Sequence, residues 1–158
     1  MIPFDLILEI ALELLAAAAG SLGFSVLFNI RGKKLVAVTL GGAIGWAVFL
    51  LLSFFGMDEP IAYFLVALLV SIYAEGMARL LKAPATIFVA PSLVPLIPGS
   101  SLYYTMAYAL GGDSTRFLEK AGSALALASA LAAGIVISAV LARLLFRPRM
   151  PKNEGKKQ

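Results

Sequence analysis

Five apolar runs, each long enough to cross a lipid bilayer, dominate the sequence. They cover residues 2–28, 35–55, 60–81, 85–111 and 121–146, with short polar turns between them. A membrane-spanning helix needs about 20 apolar residues, and backbone in hydrocarbon must satisfy its own hydrogen bonds. The chain is 61% hydrophobic and 14% charged, whereas a soluble domain has about 25% charged residues. The sequence therefore predicts an all-α, polytopic membrane protein with five transmembrane helices.

One domain accounts for nearly the whole sequence. We assign residues 1–147 to a single five-helix transmembrane domain. Residues 148–158 form a basic cytoplasmic tail that we expect to be disordered, because it is short, polar and terminal. The turns between the apolar runs are too short to hold a soluble domain.

The distribution of positive charge predicts the orientation in the membrane. Of the 13 Lys and Arg residues, only Arg116 and Lys120 fall on the same side as the N-terminus. The others follow the first, third and fifth runs: Arg31, Lys33, Lys34, Arg79, Lys82, Arg143, Arg147, Arg149, Lys152, Lys156 and Lys157. Cytoplasmic flanks carry the excess of Lys and Arg, so we expect the N-terminus outside and the C-terminus in the cytoplasm. Contact of these flanks with anionic lipid explains the net charge of +4 without a nucleic-acid partner.

Two residue types are missing, and their absence excludes several kinds of chemistry. The sequence contains no Cys and no His. It therefore has no disulfide, no Cys nucleophile, no His-based zinc or haem site and no Ser-His triad. We expect no enzyme, no metal site and no cofactor. Carboxylates and carbonyls can still take a coupling ion, either H⁺ or Na⁺.

The fourth run is interrupted by prolines, unlike the other four. Pro91, Pro95 and Pro98 each remove a backbone donor and clash with the preceding turn. Three prolines in eight residues do not leave one regular helix, so we expect two half-segments, the second beginning near Ser100. Transporters use such breaks to present helix N-termini and their N–H groups to anionic substrates. The alternative is a proline kink whose serines satisfy the backbone locally. The predicted substrate-binding residues are Pro98, Gly99, Ser100, Ser101 and Tyr103.

Two carboxylates lie inside apolar runs, where a charge costs at least about 2.5–3.5 kcal/mol. Glu13 lies in the first run, about 12 Å further along the helix than Asp5. Glu75 lies in the last third of the third run. Both are predicted sites for the coupling ion. The alternative for Glu75 is an ion pair with Arg79, four residues later.

Small residues recur at intervals of four along several runs. Such spacing lets helix backbones approach closely in lipid, where the hydrophobic effect does not drive association. We therefore predict close helix packing, within the chain or against another subunit. The residues are Gly41, Gly45, Gly122 and Gly134.

One segment resembles a known family. It reads Leu93-Val94-Pro95-Leu96-Ile97-Pro98-Gly99-Ser100-Ser101-Leu102-Tyr103, with Gly112-Asp113 after it. This run is similar to the threonine/serine exporter family, in its small-subunit or C-terminal-half type. The resemblance implies a protein of the prokaryotic plasma (inner) membrane that exports threonine and serine or, in some split members, dicarboxylates such as succinate. It also implies two five-helix halves, which split members encode as separate chains.

We therefore expect a subunit of a secondary transporter that exports small carboxylate-bearing metabolites, with the substrate held at the interrupted fourth run. The expected partners are the lipid bilayer, a small-molecule substrate and a second five-helix subunit of the same family, or otherwise further copies of this chain. Two alternatives stay open. The same complex could export dicarboxylates, or the chain could be a non-transporting membrane subunit that stabilises a larger partner.

Overall fold

The computed structural model describes residues 4–145, which form helices joined by tight turns. No β-strand occurs among these residues, so the predicted all-α class is confirmed for them. The basic tail, residues 148–158, lies outside the described residues. The elements are α1 (Phe4–Leu27), α2 (Lys33–Phe54), α3 (Glu59–Leu80), α4 (Thr86–Ser92), a 3₁₀ turn (Val94–Leu96), α5 (Gly99–Leu110) and α6 (Ser114–Leu145).

Four of these helices, α1, α2, α3 and α6, are long and apolar enough to cross a membrane. Many of their large apolar side chains are exposed, as suits helices that face lipid. Residues 86–110 are divided among α4, the 3₁₀ turn and α5, and none of the three reaches the length of about 20 residues that a span needs. A fifth crossing depends on these three pieces together. It stays a prediction, as does the orientation.

Prolines account for the interruption between α4 and α5. Pro95 has no N–H to donate to the carbonyl of Pro91, four residues earlier. The chain tightens instead, and Leu96 N–H donates to the carbonyl of Leu93 at 2.9 Å. This i→i−3 bond is the pattern of a 3₁₀ turn. Pro98 then immediately precedes the first residue of α5. We call residues 86–110 the interrupted segment.

The helices end in compact turns that bring successive helices alongside each other. After α2, Gly56 adopts a positive φ of 72°, a conformation that glycine reaches without steric cost. The N–H of Met57 then donates back to the carbonyl of Leu52 at 3.2 Å, which closes the helix end in a Schellman-type turn. Gly112, with φ of 74°, follows α5 in the same way.

The helix α3 lies at the centre of the packing. It packs along α6 and against α2 and α4, while α1 packs on α2, on α4 and on the 3₁₀ turn. The helix α5 packs on α6. One buried cluster joins α3, α6 and the interrupted segment through Tyr63, Val66, Ala67, Val70, Leu93, Leu96 and Leu127. A second joins α2, α3 and α4 through Ile30, Ala37, Val38, Ala74, Ala78 and Phe88.

Candidate functional site

A groove of about 260 Å³ lies between α1, α2 and the 3₁₀ turn. One face of α1 forms its floor, with residues at positions i, i+3, i+4 and i+7. The lining residues are Glu13, Ala16, Ala17, Gly20, Trp46 and Pro95. The small residues of α1 leave the space open. The interrupted segment and one of the two predicted intramembrane carboxylates therefore meet in one groove, which we call the Glu13 groove.

A hydrogen bond between two helices orients the carboxylate of this groove. The indole N–H of Trp46, on α2, donates to Oε2 of Glu13 at a distance of 3.1 Å. Both side chains are half-buried. An ionised carboxylate offers about four acceptor positions, so this bond leaves capacity for a donor from a ligand. The other four lining residues carry no charge, and the groove thus presents one oriented negative charge between apolar walls.

The groove lies near the middle of the helices that form it. Glu13 is the tenth of the 24 residues of α1, about 14 Å along the axis from the first. Trp46 is the fourteenth of the 22 residues of α2. If α1 and α2 cross the bilayer, the hydrogen bond between them lies close to its midplane. Transporters with broken helices bind their substrates at this depth.

Close contacts at two glycines hold α1 and α4 against α2. The hydroxyl of Ser21, on α1, fills the space that a side chain at Gly42 would need. At Gly41, an added Cβ would come within 2.6 Å of Oγ of Ser92. That hydroxyl donates to the carbonyl of Val38 at 3.0 Å. Gly42 lies one turn before Trp46 on α2, so these contacts set the register that brings the indole to Glu13.

The five predicted substrate-binding residues do not line the Glu13 groove. Pro98 is buried and lines an apolar cleft of about 600 Å³ between α5 and α6. Gly99 and Ser100 are exposed at the start of α5, and Ser101 is half-buried. Tyr103 is 63% exposed. The structure therefore brings Glu13 to the interrupted segment at Pro95 rather than at the serines.

Glu75 forms an ion pair with Arg79, which is the alternative to a coupling-ion site that their spacing of four residues predicts. Its Oε2 lies 3.1 Å from Nη2 of Arg79, one helical turn later. Nη1 of Arg79 also donates to the backbone carbonyl of Glu75 at 2.6 Å. Glu75 is not among the residues that line the Glu13 groove. The two predicted coupling sites are thus in different surroundings.

The remaining glycines predicted to pack helices differ in their surroundings. A Cβ added at Gly45 would lie 2.9 Å from Cγ2 of Val70 on α3. At Gly134 it would lie 2.7 Å from the carbonyl oxygen of Phe64, so the backbones of α3 and α6 approach closely there. Gly122 is exposed, and nothing lies within 4 Å of an added Cβ.

Sequence reasoning missed Trp46. It is the only Trp of the chain, and it lies 33 residues from Glu13, too far for any local spacing rule to pair them. The available signal was its place in the middle of an apolar run. Tryptophan in membrane helices is enriched at the interfaces, so one near the centre of a run calls for a polar partner.

Comparison with protein families finds a match over most of the chain. The family model described as Threonine/Serine exporter, ThrE, matches residues 13–141. The matched region begins at Glu13 and includes every residue that lines the groove, together with the whole interrupted segment. No solved structure matches the chain.

Proposed function

The chain belongs to the threonine/serine exporter family, and we propose that it is a subunit of a secondary transporter that exports small carboxylate-bearing metabolites such as threonine and serine. That it is a membrane protein of transporter type follows from the family and from the four apolar helices. The substrate, its binding site and the assembly are our proposals.

The observation that carries the proposal is the Glu13 groove. A carboxylate near the middle of an apolar helix is costly unless it has a use or a partner. Here it lies beside Pro95, in backbone that prolines have interrupted. Irregular backbone at membrane depth is tolerated only where protein buries it or where it lines a cavity. A charged group, a cavity and an interrupted segment at one depth are the features of a transport site.

We propose that the interrupted segment is the fourth of five spans. The chain then has its N-terminus outside and its C-terminus in the cytoplasm, in a prokaryotic inner membrane. The start of α5, with Ser100 and Ser101, offers the N–H groups that no helix can pair internally and a positive dipole end. This start would hold the substrate carboxylate.

Coupling would use a carboxylate and either H⁺ or Na⁺, without a further cofactor. Glu13 has capacity for another donor besides Trp46. Glu75 could serve only by releasing Arg79, since the two form an ion pair at 3.1 Å. This difference supports Glu13 over Glu75 as the group that exchanges its partner during transport.

A second five-helix chain of the same family is the proposed partner, with a second copy of this chain as the alternative. Transport sites of this type lie between two repeats, and this chain supplies one. Glu13 and Trp46 are only half-buried, because the groove is open on one side. A facing repeat would shield the carboxylate from lipid.

Efflux from cells that lack their own exporter tests the proposal. The chain is expressed with whatever polytopic chain co-purifies with it, and the cells are loaded with threonine or with succinate. We expect threonine to leave faster. Replacing both Ser100 and Ser101 with Ala should slow threonine efflux about tenfold, because the two hydroxyls beside these N–H groups would no longer donate to the substrate carboxylate. Ser129→Ala, which removes an exposed hydroxyl on α6, is the matched control.

The other outcomes select the alternatives. Efflux of succinate without threonine means that the complex exports dicarboxylates. Efflux of neither, with both chains in the membrane, means a non-transporting subunit that stabilises a larger partner. Unchanged threonine efflux in the double-serine variant overturns the carboxylate site at α5 while leaving the transporter assignment standing.

A further inference from the structure

We propose that the Glu13 groove binds the ammonium group of the exported metabolite, and that Glu13 is thereby the residue that selects α-amino acids over dicarboxylates. The inference rests on the proposed function. It adds the group of the substrate that this groove recognises, and it gives a specific role to Trp46. Because an α-amino acid carries its ammonium and its carboxylate on one carbon atom, and no residue of α5 lines the groove, the groove and the start of α5 would bind the substrate at different stages of transport.

The charge of the groove decides which end of a substrate it accepts. Glu13 supplies the one charged side chain among the lining residues. A substrate carboxylate entering the groove would meet a like charge, with no Lys or Arg in the lining to offset it. An ammonium group would instead find a carboxylate with free acceptor positions. Charge-assisted hydrogen bonds of this kind are about twice as strong as neutral ones.

Trp46 makes the groove suitable for an organic ammonium rather than a bare metal ion. Its N–H holds one carboxylate oxygen in place, which leaves the other oxygen for the ligand. An alkali ion needs several oxygen ligands, and the side chains of the lining offer only those of Glu13. Of the two coupling ions considered above, this inference therefore retains H⁺ rather than Na⁺ at Glu13. An ammonium group needs fewer acceptors and is also attracted to an aromatic face.

The size and walls of the groove fit a small amino acid. Its volume of about 260 Å³ is below the roughly 300–1,000 Å³ of pockets for drug-sized ligands. Ala16, Ala17 and Gly20 line it on the side of α1, and they would contact the carbon atoms of a short side chain. The groove would exclude long or doubly anionic metabolites.

Trp46 is a positioning residue in this proposal, because it acts on the substrate through Glu13. Trp46→Phe keeps an aromatic ring and removes the N–H donor. We expect a few-fold loss of threonine affinity from this variant, since the carboxylate loses its orientation and keeps its charge. Removing the charge of Glu13 should lower the threonine affinity more than removing the N–H donor of Trp46.

Binding of radiolabelled L-threonine to the complex, extracted with its native partner and placed in lipid nanodiscs, tests the inference. Two analogues are used as competitors with the wild-type complex. Threonine methyl ester keeps the ammonium group and lacks the carboxylate, whereas N-acetylthreonine keeps the carboxylate and lacks the ammonium group. We expect the ester to compete and N-acetylthreonine and succinate to compete poorly. Replacing NaCl with KCl should leave competition by the ester unchanged. A requirement for Na⁺ in the groove would overturn the inference.

Glu13→Gln keeps the acceptor for Trp46 and removes the charge. We expect it to lower the affinity for threonine and its ester about tenfold or more. Glu9→Gln is the matched control, because Glu9 is an exposed carboxylate one turn away on the same helix. If Glu13→Gln does not assemble, the competition series on the wild type still decides the question.

Failure of the inference differs from failure of the proposed function. If the wild type exports threonine while Glu13→Gln binds it unchanged, or while N-acetylthreonine competes as well as the ester, the inference is wrong and the function stands. If the wild type neither binds nor exports threonine, the proposed function is wrong too.

Discussion

Ser21 and Gly42 face each other where α1 packs on α2. The Ser21 hydroxyl is buried and has no hydrogen-bond partner among the described residues. It lies where a side chain at Gly42 would project, and Cβ of Ser21 is only 2.7 Å from that position. The pair therefore works through shape rather than through a hydrogen bond. Ser21 directly follows Gly20, which lines the groove, and Gly42 lies one turn before Trp46. A small shift at this pair would therefore move Trp46 relative to Glu13.

Gly42→Ala should destabilise the chain. Overpacking costs about 1–3 kcal/mol, more than the roughly 0.5–1 kcal/mol that Ala gains over Gly in a helix interior. Rotating the Ser21 hydroxyl does not help, since Cβ also clashes. Gly76→Ala on α3 is the control, because nothing lies within 4 Å of its added Cβ. Thermal unfolding in detergent should give a lower Tm for Gly42→Ala alone.

A second substitution separates this contact from a general loss of packing. The Ser21→Gly change removes both clashing atoms, so the double variant with Gly42→Ala should recover most of the lost stability. A Tm that stays low in the double variant would mean that Gly42 is required for another reason.

At the scale of whole helices, α6 carries two glycines in opposite surroundings. An added Cβ at Gly134 would lie within 2.9 Å of the backbone of Phe64 and Leu68. Backbone atoms cannot rotate away, so α3 and α6 would have to separate. At Gly122, twelve residues earlier on the same helix, the added Cβ has open space.

Gly134→Ala should therefore lower the Tm by more than Gly42→Ala, and Gly122→Ala should leave it unchanged or raise it slightly. In the intact complex, Gly122→Ala additionally tests whether a partner covers that face. Loss of the co-purifying chain with an unchanged Tm would locate the interface there. If Gly134→Ala and Gly122→Ala changed the Tm of the isolated chain equally, the result would contradict the packing of α3 on α6.

Local rules predict elements well and contacts between elements poorly. The ion pair of Glu75 and Arg79 follows from their spacing of four, and the all-α class follows from the apolar runs. The charge of Glu13 inside a run identifies it as a candidate. Its hydrogen bond to Trp46 does not follow, because it depends on the register of α1 on α2. That register is set by small residues whose contacts emerge only when the two helices are packed.

The prolines in the sequence also indicate where the backbone is interrupted. They do not indicate which residue of the interrupted segment lies in the same groove as the carboxylate of Glu13. Ser100 and Ser101 have the more suggestive side chains. Pro95 is the residue of the interrupted segment that lines the groove with Glu13, since the 3₁₀ turn packs on α1 and α5 packs on α6.

For the whole molecule, our proposal that residues 86–110 cross the membrane predicts the sides on which the turns lie. If these residues cross, the turn after α3 and the turn after α5 lie on opposite sides. If α4 and α5 only enter and return, both turns lie on the same side. The chain contains no Cys, so single cysteines can be introduced without removing others.

Cysteines at Met57, Pro84 and Gly111, all exposed in turns, should answer this. With an impermeant maleimide added to intact cells, we expect labelling at positions 57 and 111 and protection at 84. Permeabilised cells, in which all three should react, provide the control for reactivity. Equal behaviour of 84 and 111 would rule out five spans, and labelling of 84 without 57 would reverse the orientation.

The hydrogen bond between Trp46 and Glu13 has one more consequence. Since the chain has a single indole, all of its intrinsic tryptophan fluorescence originates at the carboxylate of the groove. The emission wavelength and quenching of that indole depend on the charge and hydration next to it. The protein thus contains its own optical reporter, and events at the groove can be followed in real time without attaching a dye.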